Sequence, residues 1–175
     1  MDHLISNFSY QSIMAKSDKR LENWPLMQSP LSTISLCLFY VYLVKYLGPQ
    51  YMKNREPFNV RKLMIVYNFL MVIISALLVY FYGIHGWLTT YSYKCQPVDY
   101  SNSYHALGMA KTSYFYYIVK YLEFIDTFFF VLRKKYNQIT TLHVIHHGIM
   151  PFSVWWGLKF VPGKLTIYFK PRLAV

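Results

Sequence analysis

A chain of 175 residues that is 55% hydrophobic, 20% aromatic and only 14% charged is poorer in charge than an ordinary soluble domain. Lys and Arg outnumber Asp and Glu by 18 to 7, for a net charge of +11. The excess is not a nucleic-acid footprint, because the basic residues bunch at the ends of long uncharged runs, where they meet lipid head groups.

Residues 1–28 form a polar N-terminal segment containing the sequon Asn7-Phe8-Ser9, a candidate glycosylation site. The segment lacks the apolar core of a cleaved signal peptide, so the first hydrophobic run is expected to direct insertion itself. Four such runs follow, at 29–47, 63–84, 112–132 and 139–160. Each is long enough, at ~1.5 Å per residue, to cross a hydrocarbon core of roughly 30 Å. A span without water must satisfy its own backbone, so all four read as α-helices and the fold class as an all-α, multi-pass transmembrane bundle.

The link between the first two runs carries Lys53, Arg55, Arg61 and Lys62, with Lys45 just before it; the short link after the third carries Arg133, Lys134 and Lys135. The N-terminal segment and the long link after the second run hold fewer basic residues, which puts the two basic links in the cytosol and the N-terminus outside. Cys37, inside the first run, reads as a small packing residue. Cys95, in the outside link, is either free or a candidate for a disulfide with a partner outside this sequence.

Ionisable groups at membrane depth are costly and normally face a bundle interior. The third run carries Lys120, Glu123 and Asp126, spaced i, i+3, i+6 on one side; the fourth carries His143, His146 and His147 on one face. The short turn between them predicts an antiparallel hairpin. Counted from that turn, Asp126 lies ~10 Å deep, Glu123 ~15 Å and Lys120 ~20 Å, against ~6–12 Å for the histidines. Asp126 is therefore expected level with His146 or His147, where a carboxylate would fix an imidazole tautomer. The residues alone leave four readings: structural core histidines, a metal site, a proton path or transporter site, and catalysis by neutral imidazole in a dry pocket. The metal reading is weakened because His3, His85 and His105 lie away from this cluster.

The motifs carry a further signal. Lys120-x-x-Glu123-x-x-Asp126-Thr127 precedes His143-x-x-His146-His147, which is followed by Met150-Pro151 and by Trp156-Gly157-Leu158-Lys159-Phe160-x-Pro162-Gly163. With Arg55-x-Pro57-Phe58, Asn68 and Cys95, this pattern resembles the very-long-chain fatty acid elongase family over roughly residues 20–163. The resemblance implies a seven-helix protein of the endoplasmic reticulum membrane, of which four helices are present here, with a luminal N-terminus and an acyl tunnel. It implies a 3-oxoacyl-CoA synthase that condenses a long-chain acyl-CoA with malonyl-CoA, an acyltransferase needing no metal or bound cofactor. Other enzymes of the elongation cycle are the implied partners.

On that pattern His146 is the candidate nucleophile and His143 and His147 orient it or handle protons. Glu123 and Asp126 hold the histidines, Lys120 pairs with the carboxylates, and Thr127 and Asn68 support. Residues 29–163 form the elongase-like domain. The sequence leaves the family pattern after Gly163, so 164–175 (KLTIYFKPRLAV) is expected to be a divergent tail on a truncated, inactive chain. The alternative is a non-catalytic membrane protein or a transporter using the same cluster.

Overall fold

The computed structural model describes residues 10–89, 91–92 and 97–162, with no strand among them. The sequon at Asn7, His3, Cys95, Gly163 and the tail 164–175 lie outside the described residues. A short helix α1 (Tyr10–Met14) and a 3-10 turn (Lys19–Leu21) open the described chain. Asp18 caps that turn by accepting from the Arg20 amide at 2.9 Å, and its carboxylate also receives the Arg20 guanidinium at 2.6–3.0 Å. The same guanidinium donates to the carbonyls of Asp99, at 3.1 Å, and Ser101, so it ties the N-terminal segment to the link before the third run. In that link, hydrogen bonds from the Ser101 side chain and amide hold the Asp99 carboxyl below the usual carboxylate range.

Helix α2 (Pro30–Tyr42) starts where Ser29 accepts from the Leu31 amide at 3.2 Å and Pro30 fills the first turn, which needs no N–H. It was expected to stop near Leu47. Instead a π turn (Leu43–Leu47) carries it into α3 (Gly48–Met52), giving one apolar helix of 23 residues. Pro49 is tolerated because it falls in the first turn of α3. Gly48 is required for a close approach: a Cβ there would stand 2.7 Å from Val131.

Helix α4 (Arg61–Tyr82) continues through a second π turn (Gly83–Trp87) into an apolar helix of 27 residues. Leu78 is the one buried residue of α4 itself, so most of this helix offers side chains such as Leu63, Ile65 and Phe69 outward, as lipid contact demands.

The third run is two helices, α5 (Tyr104–Leu122) and α6 (Phe124–Leu132), and begins well before the expected residue 112. Ser103 caps α5 by accepting from the Ala106 amide at 3.2 Å. Its first turns look too polar for a span, but they bury Ala106, Gly108, Met109 and Ala110, a small-residue face that composition hides. The ladder breaks at Glu123, whose carbonyl accepts from the Asp126 amide in a tight 3.3 Å turn. At the far end Lys134 adopts a left-handed φ of 56°, while Lys135 N–H reaches the Phe130 carbonyl and Lys134 N–H that of Val131, both at 2.9 Å. This is a Schellman closure built without glycine.

Helix α7 (Thr141–Phe160) is capped by Thr140, which accepts from the His143 amide at 3.2 Å. It runs back antiparallel, as the short turn predicts. Near the hairpin, Val131, Ile139 and Val144 pack with Tyr40, Val44 and Phe124; at the other end Tyr117, Trp155 and Leu158 pack with Leu21 and Met27. Lys159, expected at the span's edge, is 2% exposed, because segment 18–27 lies over it. Its Nζ donates to the Met27 carbonyl at 3.0 Å, and its own carbonyl accepts from the Asp18 amide at 2.9 Å. The two basic links meet at the hairpin end, where Lys134 Nζ donates to the Lys53 carbonyl at 3.4 Å.

Candidate functional site

The three histidines lie in the first half of α7, where His143 reaches Thr127 of α6 and His147 reaches Glu123 at the α5–α6 junction. Their spacing puts them on one face, and packing then separates them. His143 and His147 are half-buried with ring centroids 4.5 Å apart, whereas His146 is exposed and touches His147 edge-on at 5.3 Å. Because a 3.6-residue turn spreads i, i+3 and i+4 over an arc, one residue of such a trio falls at the rim. Here it is His146, which makes no hydrogen bond among the described residues.

The acidic face meets them in a different register from the expected one. Lys120 Nζ donates to Glu123 Oε1 at 2.5 Å, and Glu123 Oε2 lies 4.0 Å from His147 Nδ1. Lys120, Glu123 and His147 keep side-chain exposures of 11%, 20% and 14%, so this pairing is largely shielded from solvent. Asp126 was expected level with His146 or His147. It instead interacts with the Tyr67 side chain of α4 and has His143 as its histidine neighbour. Glu123 and Thr127, four residues apart, face α7, whereas Asp126, next to Thr127 in the chain, is turned toward Tyr67 of α4.

Thr127 is fully buried, and its Oγ1 lies 2.9 Å from His143 Nε2. On its other side the Tyr40 hydroxyl of α2 approaches to 2.9 Å. Tyr40 is held there by a 4.0 Å stack on Phe124. Asn68, a proposed supporting residue, is exposed on α4 and makes no hydrogen bond to the cluster among the described residues. Its neighbour Tyr67 does the reaching, donating to the Leu122 carbonyl at 3.0 Å beside Asp126. Sequence reasoning missed both Tyr40 and Tyr67, because a tyrosine inside an aromatic-rich apolar run reads as packing.

His85 and His105 come together at the opposite end of α4 and α5, with ring centroids 6.3 Å apart. Among the described residues no three His, Cys, Asp or Glu side chains converge as a metal ion requires. Cys37 is buried within α2.

The chain matches the ELO: GNS1/SUR4 family over residues 25–170. It is 57% identical over 153 residues to a very long chain fatty acid elongase of Aedes aegypti, covering 87% of this chain and 43% of that one. It is 55% identical to very long chain fatty acid elongase 7 of Drosophila melanogaster, covering 88% of this chain and 47% of that protein. With very long chain fatty acid elongase 1 of Homo sapiens the identity is 49%, over 89% of this chain and 56% of the human one. The chain thus spans about half the length of the curated relatives it matches.

Proposed function

The chain belongs to the very-long-chain fatty acid elongase (ELO, GNS1/SUR4) family of membrane proteins, and from that premise we propose that the whole protein carries out the condensing step of fatty acid elongation. A long-chain acyl-CoA and malonyl-CoA give a 3-oxoacyl-CoA two carbons longer, CO2 and CoA.

One observation carries the assignment of roles: two of the three histidines are engaged and the third is not. His143 is bonded through Nε2 to Thr127, and His147 sits beside the Glu123 carboxylate, while His146 stands free next to both. On this reading a neutral His146 nitrogen attacks the thioester carbonyl and the CoA thiolate leaves, taking up a proton. The acyl-imidazole is then attacked by the α-carbon of malonyl-CoA as its C–CO2 bond breaks, and the imidazole is expelled. Glu123, held by Lys120, supports positive charge on His147 as protons move. The reading needs no metal or bound cofactor. The Arg133–Lys135 turn and the Lys53–Arg55 link, which meet at the histidine end of the bundle, suit the CoA phosphates.

Full-length protein in liposomes, given carboxyl-labelled malonyl-CoA and a long-chain acyl-CoA, is expected to release labelled CO2 and form 3-oxoacyl-CoA together. Solute or proton flux with no CO2 release would instead establish the transporter reading.

We also assign the protein to the endoplasmic reticulum membrane as a multi-pass protein with its N-terminus in the lumen. The clustering of basic links at one end of the bundle supports this. Expression with sealed microsomes should give a glycosylated chain that Asn7→Gln leaves unmodified. External protease should reach an epitope at Lys134 but not the N-terminus, and the opposite cleavage pattern would reverse the topology.

A further inference from the structure

We propose that Tyr40 and Thr127 form a one-way hydroxyl relay that holds His143 in the tautomer protonated on Nδ1, which makes both of them positioning residues for the histidine face. The proposal rests on the catalytic reading for its consequence, but not for its geometry.

Tyr40 and Thr127 are 1% and 0% exposed, so neither hydroxyl has bulk water to turn to. Two hydrogen bonds join three atoms in a row: Tyr40 OH to Thr127 Oγ1 at 2.9 Å, and Thr127 Oγ1 to His143 Nε2 at 2.9 Å. Each hydroxyl has one proton to donate, and each bond takes one. If Tyr40 donates to Thr127 and Thr127 donates to His143, both protons are used and Nε2 acts as the acceptor. If the row runs the other way, His143 donates to Thr127 and Thr127 to Tyr40. The Tyr40 proton then has no acceptor among the described residues, a costly state for a buried donor.

A third arrangement would let Thr127 accept from both sides and turn its own proton back to the helix. Thr112, Ser153 and Ser35 do that, donating to the carbonyl four residues earlier at 2.8, 3.2 and 2.7 Å. Thr127 makes no such bond. The forward row is the arrangement that leaves neither buried hydroxyl proton stranded, and it places the ring's own proton on Nδ1 of the half-buried His143.

Rigidity supports the direction. Tyr40 cannot swing away, because its ring is stacked on Phe124 at 4.0 Å and meets the edge of Phe128 at 6.3 Å. The donor at the start of the row is therefore clamped by α6 itself, and the row crosses from α2 through α6 to α7. Its effect is to occupy the Nε2 lone pair of His143 and leave the ring an N–H donor through Nδ1. His143 then cannot act as the nucleophile, and the free lone pair belongs to its neighbours on α7.

The test uses full-length protein with 15N-labelled histidine in liposomes, where protonated and unprotonated ring nitrogens resonate far apart. His143→Gln identifies the His143 signals by subtraction. The expected result is an unprotonated Nε2 and a protonated Nδ1 in the wild type, converting to a tautomer mixture in Thr127→Val. Turnover in Thr127→Val should fall ~10–100-fold, as for other residues that orient a functional histidine, with KM for acyl-CoA little changed. Thr127→Ser, which keeps the hydroxyl, should restore both the tautomer and the rate. A protonated Nε2 in the wild type would overturn the proposal, as would an unchanged tautomer in Thr127→Val. The nuclear signature is independent of the reaction, so the proposed tautomer in a protein that releases no CO2 would sink the condensing activity and leave the relay standing.

Discussion

His146→Ala in the full-length protein is expected to lower condensation on the order of 10³-fold or more, the range in which loss of a covalent nucleophile falls. The variant should still insert and keep the thermal stability of the wild type. His146 is exposed on α7 and makes no hydrogen bond among the described residues, so its removal opens no cavity and strands no partner. The same substitution at His143 would also break the bond to Thr127, which is why His146 is the cleaner position. A strong chelator should leave wild-type turnover intact in the same assay. Two results would reverse the assignment: a His146→Ala enzyme within a few-fold of wild type, or activity lost to the chelator and restored by one metal.

Residues 1–175 expressed alone are expected to yield no elongated fatty acid, whereas a chain extended to the length of the curated relatives does. A reactive acyl-imidazole must be kept from water, and its acyl chain must be enclosed. In the described residues the histidine face is open at His146. Its neighbours Leu142, Ile145 and Ile149 are 78%, 50% and 54% exposed, so this side of α7 offers an apolar surface with a polar residue set into it. Asn68 is likewise exposed on α4, a helix with a single buried residue of its own. Polar groups on lipid-facing positions weaken a bundle until another segment covers them. Expressing the short and extended chains side by side in an elongase-deficient host decides the point: elongated products from the 175-residue form would mean that these helices enclose a working site unaided.

Much of the architecture was legible in the sequence, because the signals are local. Runs of apolar residues long enough to span a membrane mark helices, since backbone groups have no other partner there. The runs at 29–47, 63–84 and 139–160 correspond to α2 with α3, α4 and α7. Helix ends were less legible, because they depend on neighbours. The start of α5 at Tyr104 is set by burial of Ala106 and Gly108, and the passage through Leu43–Leu47 into α3 is set by packing at Gly48 against Val131. Burial of Lys159 likewise needed the fold-back of segment 18–27, which no periodicity announces.

The site divides along the same line. Sequence by itself determined the family and the one-face spacing of His143, His146 and His147. It also placed Lys120 and Glu123 one turn apart, because that spacing follows from helix geometry alone. Tertiary structure decided which histidine is free and which are held. That depends on how α7 packs against its neighbours, which no spacing within a single helix fixes. Tertiary structure also recruited Tyr40 and Tyr67, residues 87 and 55 positions from their partners Thr127 and Leu122. A hydroxyl on an aromatic ring is invisible in an apolar run, and it joins the site only once packing has put a partner 2.9 Å from it.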